Sequence, residues 1–421
     1  MKFKPNPLLY GANEDFLSAF RLAIRMKDAV EYDLLCRSVE KAMARYPYFS
    51  VYPEREGEAL VLHSNHRPVP VFPDDRTVTL GSEESHGHLL SFGCKGNTVF
   101  IDCSHYLADG MGIDPLMKTL LYLYVSERYG TEGLEIKRIR MPDSPVDEGE
   151  YRYPFPDGTV NCEEPLLSPQ KTEDAYGLDP AAFDTEGLYA YHLRVPQKEM
   201  MAKASSSDGS PVSFLSVLLY RAFHRLDDGI DKPIVAHVQH QYRAVLHTPL
   251  THHSLVNYIP VTLPPRLKKW DVEKQNTVVR GQVILKGDNE ADLASVNRLI
   301  EAFPRDLSFA DKKEAMARFA EESIQKKTFG ISYVGKMDWC GLEQYVKDLH
   351  AYIGEKHSKN MLLLEVMTVG DDFSLTFMQS GKGEKYRDAF VEELRALGIP
   401  VRLVGEERYT LCPASSRFPL T

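Results

Sequence analysis

The chain has 421 residues, with 50 Lys and Arg against 60 Asp and Glu, and a formal net charge of −10. Hydrophobic residues are 43% of the total, enough for a large globular core. The acid excess argues against nucleic acid or an anionic membrane as a general partner, since both demand a basic face.

No apolar run approaches the roughly 20 residues that span a bilayer, so no membrane span is expected. The start, Met1-Lys2-Phe3-Lys4, has no following apolar segment of a signal peptide. Cys36, Cys94, Cys103, Cys162, Cys340 and Cys412 are scattered and make no C-x-x-C pair. They read as free thiols in a reducing cytoplasm.

From the N-terminus, Phe20, Leu22, Ile24 and Met26 alternate with Arg21, Ala23 and Arg25, the period of a half-buried strand. Leu35, Val39, Ala42, Met43 and Tyr46 recur at helical spacing, and Pro47 stops that helix. Strand-like runs at 88–94 and 98–103 flank Lys95-Gly96-Asn97, a hairpin signal. After Cys103-Ser104-His105-Tyr106-Leu107-Ala108-Asp109-Gly110 comes a helix with an apolar face of Ile113, Leu116, Met117, Leu120, Leu121 and Tyr124.

Residues 131–187 break the pattern. They hold seven of the 26 prolines, 14 acids and five bases, and no lasting periodicity. This stretch reads as a long surface crossover between two halves. It carries a net charge of −9, which leaves the rest of the chain at −1. A ligand with phosphates is therefore not excluded by charge.

The second half opens with a strand in which Tyr189, Tyr191, Leu193 and Val195 alternate, then a loop at Ser205-Ser206-Ser207-Asp208-Gly209. Ser210 is a helix N-cap with Pro211 at the first position, and the helix 211–226 buries Phe214, Leu215, Leu218, Leu219, Ala222 and Phe223. Strands near 233–239 and 255–263 follow, then two or three helices within 271–327. Strands at 329–334, 361–369 and 373–379 and a helix over 383–397 complete the chain. Both halves mix helices and strands, which fits two α/β lobes.

The pattern H-x-x-x-D-G occurs twice, at His105 and at His224, where composition predicts about 0.06 matches by chance. Context separates them. His224 lies at the end of the helix 211–226, and Asp227-Asp228-Gly229 is a helix stop and turn. His105 sits between a strand and a helix, where α/β proteins place reactive groups. Its bland alternative is a turn-stabilising histidine. The pairs His63/His66, His86/His88, His237/His240 and His252/His253 lack the helical spacing and nearby carboxylate of zinc hydrolases. No metal is expected.

The strand, the S-H-x-x-x-D-G turn and the helix after it resemble the CoA-dependent acyltransferase superfamily with the chloramphenicol acetyltransferase fold. That superfamily includes plant-type BAHD acyltransferases, alcohol O-acetyltransferases and peptide-synthetase condensation domains. The order of further segments agrees: Phe20 to Ser50 with Arg45-Tyr46-Pro47, the Pro-rich crossover, helix 211–226, Val238 to Arg243, Val256-Asn257-Tyr258, and Ser332-Tyr333-Val334-Gly335. Three positions depart: Ser104 replaces a first histidine, Tyr333 an asparagine, and Val256 a glycine.

The resemblance implies an α/β (α+β) fold of two lobes, each a mixed sheet flanked by helices, joined by a long crossover. Residues 1–130 would be the N-terminal lobe with the turn, 131–187 the crossover, and 188–421 the C-terminal lobe. It implies transfer of an acyl group, acetyl first, from acyl-CoA to the hydroxyl or amine of a small-molecule acceptor. His105 would be the general base, since neutral imidazole takes a proton near pH 7. Asp109 would be structural, paired with Arg243, and Gly110 would allow the tight exit into the helix. Ser332, Tyr333, Gly335 and Asn257 would line the channel as oxyanion or cofactor contacts, and Lys326, Lys327 and Lys336 could meet CoA phosphates. Two alternatives stay open: a free-standing condensation-type domain charged by an acyl carrier protein, and a non-catalytic relative that serves as a binding subunit.

Overall fold

The computed structural model of the protein describes residues 2–12, 19–167, 174–183, 185–303, 306–324, 327–354 and 361–413. In chain order the first half gives β1 (Lys2–Phe3), β2 (Ala19–Met26), α1 (Tyr32–Arg45), β3 (Val51–Glu56), β4 (Ala59–Ser64), β5 (Val71–Phe72), β6 (Leu90–Lys95), β7 (Thr98–Ser104), α2 (Gly110–Tyr129) and the one-turn α3 (Glu148–Tyr151). The second half gives β8 (Thr185–Pro196), α4 (Gln197–Ser206), α5 (Pro211–Leu226), β9 (Ile234–Gln241), β10 (Val256–Leu263), α6 (Val272–Lys286), α7 (Asn289–Ala302), α8 (Phe309–Ile324), β11 (Phe329–Tyr333), β12 (Val346–Tyr352), β13 (Leu362–Val369), β14 (Asp372–Lys382), α9 (Lys385–Ala396) and β15 (Arg402–Tyr409).

Three sheets result. The first lobe's sheet has the order β12-β2-β7-β6-β5, the second lobe's β10-β9-β11-β13-β14-β8-β15, and a small sheet β1-β4-β3. The strand β12 lies within 188–421 but pairs antiparallel with β2, Leu349 opposite Ile24 and Ala351 opposite Leu22. The first lobe is thus completed by the second half of the chain. The segment Ser205–Gly209, expected as a loop, is partly helix, because α4 runs to Ser206 before the chain turns at Asp208 with φ +53°.

The strand β2 is buried along nearly its whole length rather than on one face. Phe20, Leu22 and Ile24 join the core beneath α1 and α2, while Ala23 packs with Tyr352, Leu363 and Met378 of the lobe junction. On that second face the Arg21 guanidinium grips Asp102 of β7 at 2.7 and 2.8 Å. Burying both faces is what two stacked lobes require.

One acid anchors the crossover at α3. Glu150 of α3 is 3% exposed. Its carboxylate accepts from Arg45 at 2.7 and 3.0 Å and from the Tyr48 hydroxyl at 2.6 Å. Its backbone carbonyl accepts the His252 N–H at 2.9 Å. Arg45, in the Arg-Tyr-Pro end of α1, therefore ties the crossover to the first lobe, and Glu150 passes the tie to the second.

Candidate active site

The strand β7 delivers the turn. Val99, Ile101 and Cys103 are fully buried, which fixes the strand's exit. Ser104 then organises the backbone: its carbonyl accepts the N–H groups of Leu107 and Ala108, and its Oγ accepts from Tyr106 N–H at 3.3 Å. A short hydroxyl in a sealed turn does this job, so the serine in place of a first histidine has a structural role.

Asp109 ends the turn in extended conformation and caps α2, with Oδ1 accepting the Gly112 N–H at 2.8 Å. Arg243, two residues beyond β9, grips both carboxylate oxygens at 2.7 Å. Oδ2 also accepts the Leu255 N–H at 3.0 Å. Arg243 donates further to the carbonyls of Thr251 and His253 at 3.2 and 3.1 Å, and to Gln241 Oε1 at 3.1 Å. The two side chains are only 5% and 2% exposed. Burying such a pair is tolerable because every oxygen and most N–H groups are satisfied. Gly112 lets α2 approach the same segment, since a Cβ there would stand 2.0 Å from the His252 carbonyl oxygen.

His105 projects from this clamped turn into a cavity of about 290 Å3 between the lobes. Its ring lies 4.7 Å from the Phe20 ring, and its nitrogens have no hydrogen-bond partner among the described residues. Burial pulls the imidazole below its ordinary range, and the Asp109 carboxylate offsets this in part. The ring is therefore neutral near pH 7, with a lone pair available. The walls are largely apolar: Phe20 and Leu22 of β2, Met117 of α2, and Leu349 and Ala351 of β12.

No protein-family model and no curated protein matches the sequence. Solved structures match over almost the whole length. TRI101 of F. sporotrichioides, complexed with coenzyme A and T-2, aligns with a TM-score of 0.62 at 8% identity, covering 96% of this chain and 100% of that chain. Polyketide synthase associated protein 5 from Mycobacterium tuberculosis aligns at 0.59 and 13%, covering 93% and 96%. The condensation domain of the Monacolin K polyketide synthase MokA aligns at 0.53 and 11%, covering 94% and 96%. The chain shares its fold with these structures over nearly its whole length, the fold that the resemblance read from the sequence implied.

Within this fold the sequence-predicted residues separate. His105, Gly110 and Ser332 line the cavity, and Lys336 stands at its exposed edge. Asp109 and Arg243 stand behind the turn and hold it. Tyr333 does not line the cavity. It alternates with Ser332 and packs on the helix side of the sheet, its ring 6.0 Å from that of Phe373. Asn257 likewise alternates with Val256, which is a lining residue while Asn257 is not. Gly335 forms a turn at φ +88° between Val334 and Lys336, and only those two reach the cavity. Lys327 does not line it either, and Lys326 lies outside the described residues.

Ser332 is engaged, not free: its hydroxyl donates to Glu365 Oε1 at 3.0 Å. Glu365 and Gln239 are polar lining residues that sequence reasoning missed. The signal for Glu365 was present. It is the lone acid in the apolar run Met361-Leu362-Leu363-Leu364-Glu365-Val366-Met367, and an acid inside a strand buried on both faces needs a reason. Among the described residues one group of metal-ligand types meets elsewhere, Glu54, Glu56 and His63 on the β3–β4 hairpin. Lys2 ion-pairs with Glu56 there at 2.5 Å, and none of the three lines the cavity. No helix among the described residues is long and apolar enough to cross a membrane.

Proposed function

We propose that the protein transfers an acyl group, acetyl first, from acyl-CoA to a hydroxyl or amine of a small molecule bound between the lobes. The observation that carries this reading is a neutral, unpartnered His105 facing an apolar interlobe cavity from a turn that a buried interlobe ion pair holds rigid. His105 takes the proton from the acceptor as its oxygen or nitrogen bonds to the acyl carbon. The carbon–sulfur bond then breaks, and the imidazolium returns that proton to the leaving thiolate. No acyl-enzyme is needed, so none of the six free cysteines has to be a nucleophile. Lys336 at the cavity edge could meet a phosphate of coenzyme A. Lys118 is less available, since Asp114 pairs with it at 2.7 Å.

His105 lines a cavity, which supports an enzyme over a scaffold. Thiol release from acetyl-CoA with a panel of alcohols and amines tests the reading. His105→Ala should lower turnover by about 10²–10⁴-fold, and full turnover in that variant would mean that His105 is not the base. Running the same panel with an acetylated phosphopantetheinyl carrier protein distinguishes a carrier-charged, condensation-type enzyme.

A further inference from the structure

The cavity contains a carboxyl that the proposed chemistry leaves unused. Glu365 lies in β13 and is 2% exposed. Strand register places it directly beside Ser332 of β11 on one side and Thr376 of β14 on the other. All three side chains therefore leave the same face of the sheet, the face on which Leu363 packs against Ala23 and Tyr352. Oε1 accepts the Ser332 hydroxyl at 3.0 Å, and Oε2 has no hydrogen-bond partner among the described residues.

The other acids of the cavity are paired, Asp114 with Lys118 and Asp338 with Arg138. Glu365 pairs with no base among the described residues. Burial pushes its carboxyl up to about 8, against a smaller downward pull from Ser332. A buried carboxyl without a counter-charge is costly, and such groups in clefts concentrate at functional sites. What Glu365 lacks among the described residues is a paired cation.

We propose that Glu365, with Ser332, recognises an acceptor that carries a protonated amine besides the group to be acylated. The acylated group rests on the acyltransferase reading, whereas the amine site does not. The arriving ammonium meets Oε2 and the Ser332 oxygen, the neutral acid gives up its proton to solvent, and a buried charge-assisted pair forms. The methionine and aliphatic walls take the carbon chain between the two ends. A neutral acceptor of equal length meets only an uncharged acid and gains no such pair.

Thermal melting at neutral pH with aminohexanol and with hexanediol, at equal concentrations, tests this. The amine should raise the wild-type Tm by more than the diol, and Glu365→Gln should abolish the difference. Equal shifts in the wild type, or a preference that survives Glu365→Gln, would overturn the proposal. A second measurement needs no variant: calorimetric titration of aminohexanol into the wild type, in two buffers of different ionisation enthalpy, should show release of about one proton per amine bound. Binding without proton release, or no binding, overturns it as well. Neither readout involves the thioester, so a protein that prefers the amine but releases no thiol from acetyl-CoA would overturn the acyltransferase reading and leave the amine site standing.

Discussion

Arg243→Ala tests the clamp behind His105. The substitution removes five hydrogen bonds: two to Asp109, two to the carbonyls of Thr251 and His253, and one to Gln241. It leaves a nearly sealed carboxylate without its counter-charge, and breaking a buried pair this way costs about 3–5 kcal/mol. Asp109 keeps the Gly112 and Leu255 N–H groups, which places the expectation near the lower end, about 3 kcal/mol. Against a typical stability of about 5–15 kcal/mol, that is a severe loss. Urea denaturation measures it, with Lys95→Ala as a control. Lys95 also holds an acid, Asp75, at 2.9 Å, but the side chains are 64% and 47% exposed, so the loss should stay below about 1 kcal/mol. A double-mutant cycle with Asp109→Asn should return a coupling of about 1–3 kcal/mol. A cost for Arg243→Ala no larger than the Lys95 control would refute the clamp, and with it the account of how His105 is positioned.

Three further expectations follow from the same geometry. Because burial lowers His105, its neutral form persists below the ordinary imidazole value of about 6.5; the acid limb of thiol release should therefore have its midpoint below that value, and half-loss at or above about pH 6.5 would contradict a buried base. Gly112→Ala should destabilise despite the better helix propensity of alanine, worth about 1 kcal/mol, because its Cβ would collide with the His252 carbonyl; an unchanged or raised Tm would show that the lobes are not in contact there. For Glu150, burial raises the carboxyl but Arg45, Tyr48 and Arg140 outweigh it and hold it below its ordinary value. The stabilisation from that lowering is complete above the unfolded value of about 4.3 and disappears as pH falls through the folded one. The wild-type Tm should fall through this acid range more steeply than that of Glu150→Gln.

The elements legible in the sequence are those whose own residues carry the pattern. The helix α5 has its Ser210 cap, Pro211 start and apolar stripe within 16 residues, and the β6–β7 hairpin announces itself through Lys95-Gly96-Asn97. The strand β12 does not. Its alternation is masked by Asp348 and His350, and the buried Asp348 is held by Arg25 of the neighbouring β2 and by Arg194 of β8 across the lobe junction. In β3, Pro53 and three charges hide a strand that pairs with β4 in a separate small sheet. At the site, His105, Asp109 and Arg243 could be placed through the motif and the resemblance. Ser332 could be placed but its partner could not, because Ser332 and Glu365 are 33 residues apart and only the β11–β13 register joins them. Tyr333 is placed through the resemblance of its segment, and the alternation of β11 turns it to the opposite face from Ser332.

The placement of β12 has a practical meaning for anyone who would recombine chains of this fold. A half-molecule ending at residue 130 would leave β2 as an open edge, with free backbone donors and acceptors along Arg21–Met26, and such an edge invites aggregation. It would also lose Leu349 and Ala351, so the histidine would face solvent and not a chamber. Any chimera that exchanges first lobes between relatives must therefore carry residues 346–352 along with the first 130, although more than 200 residues of foreign chain separate them. The inheritable unit is the chamber and not the contiguous half.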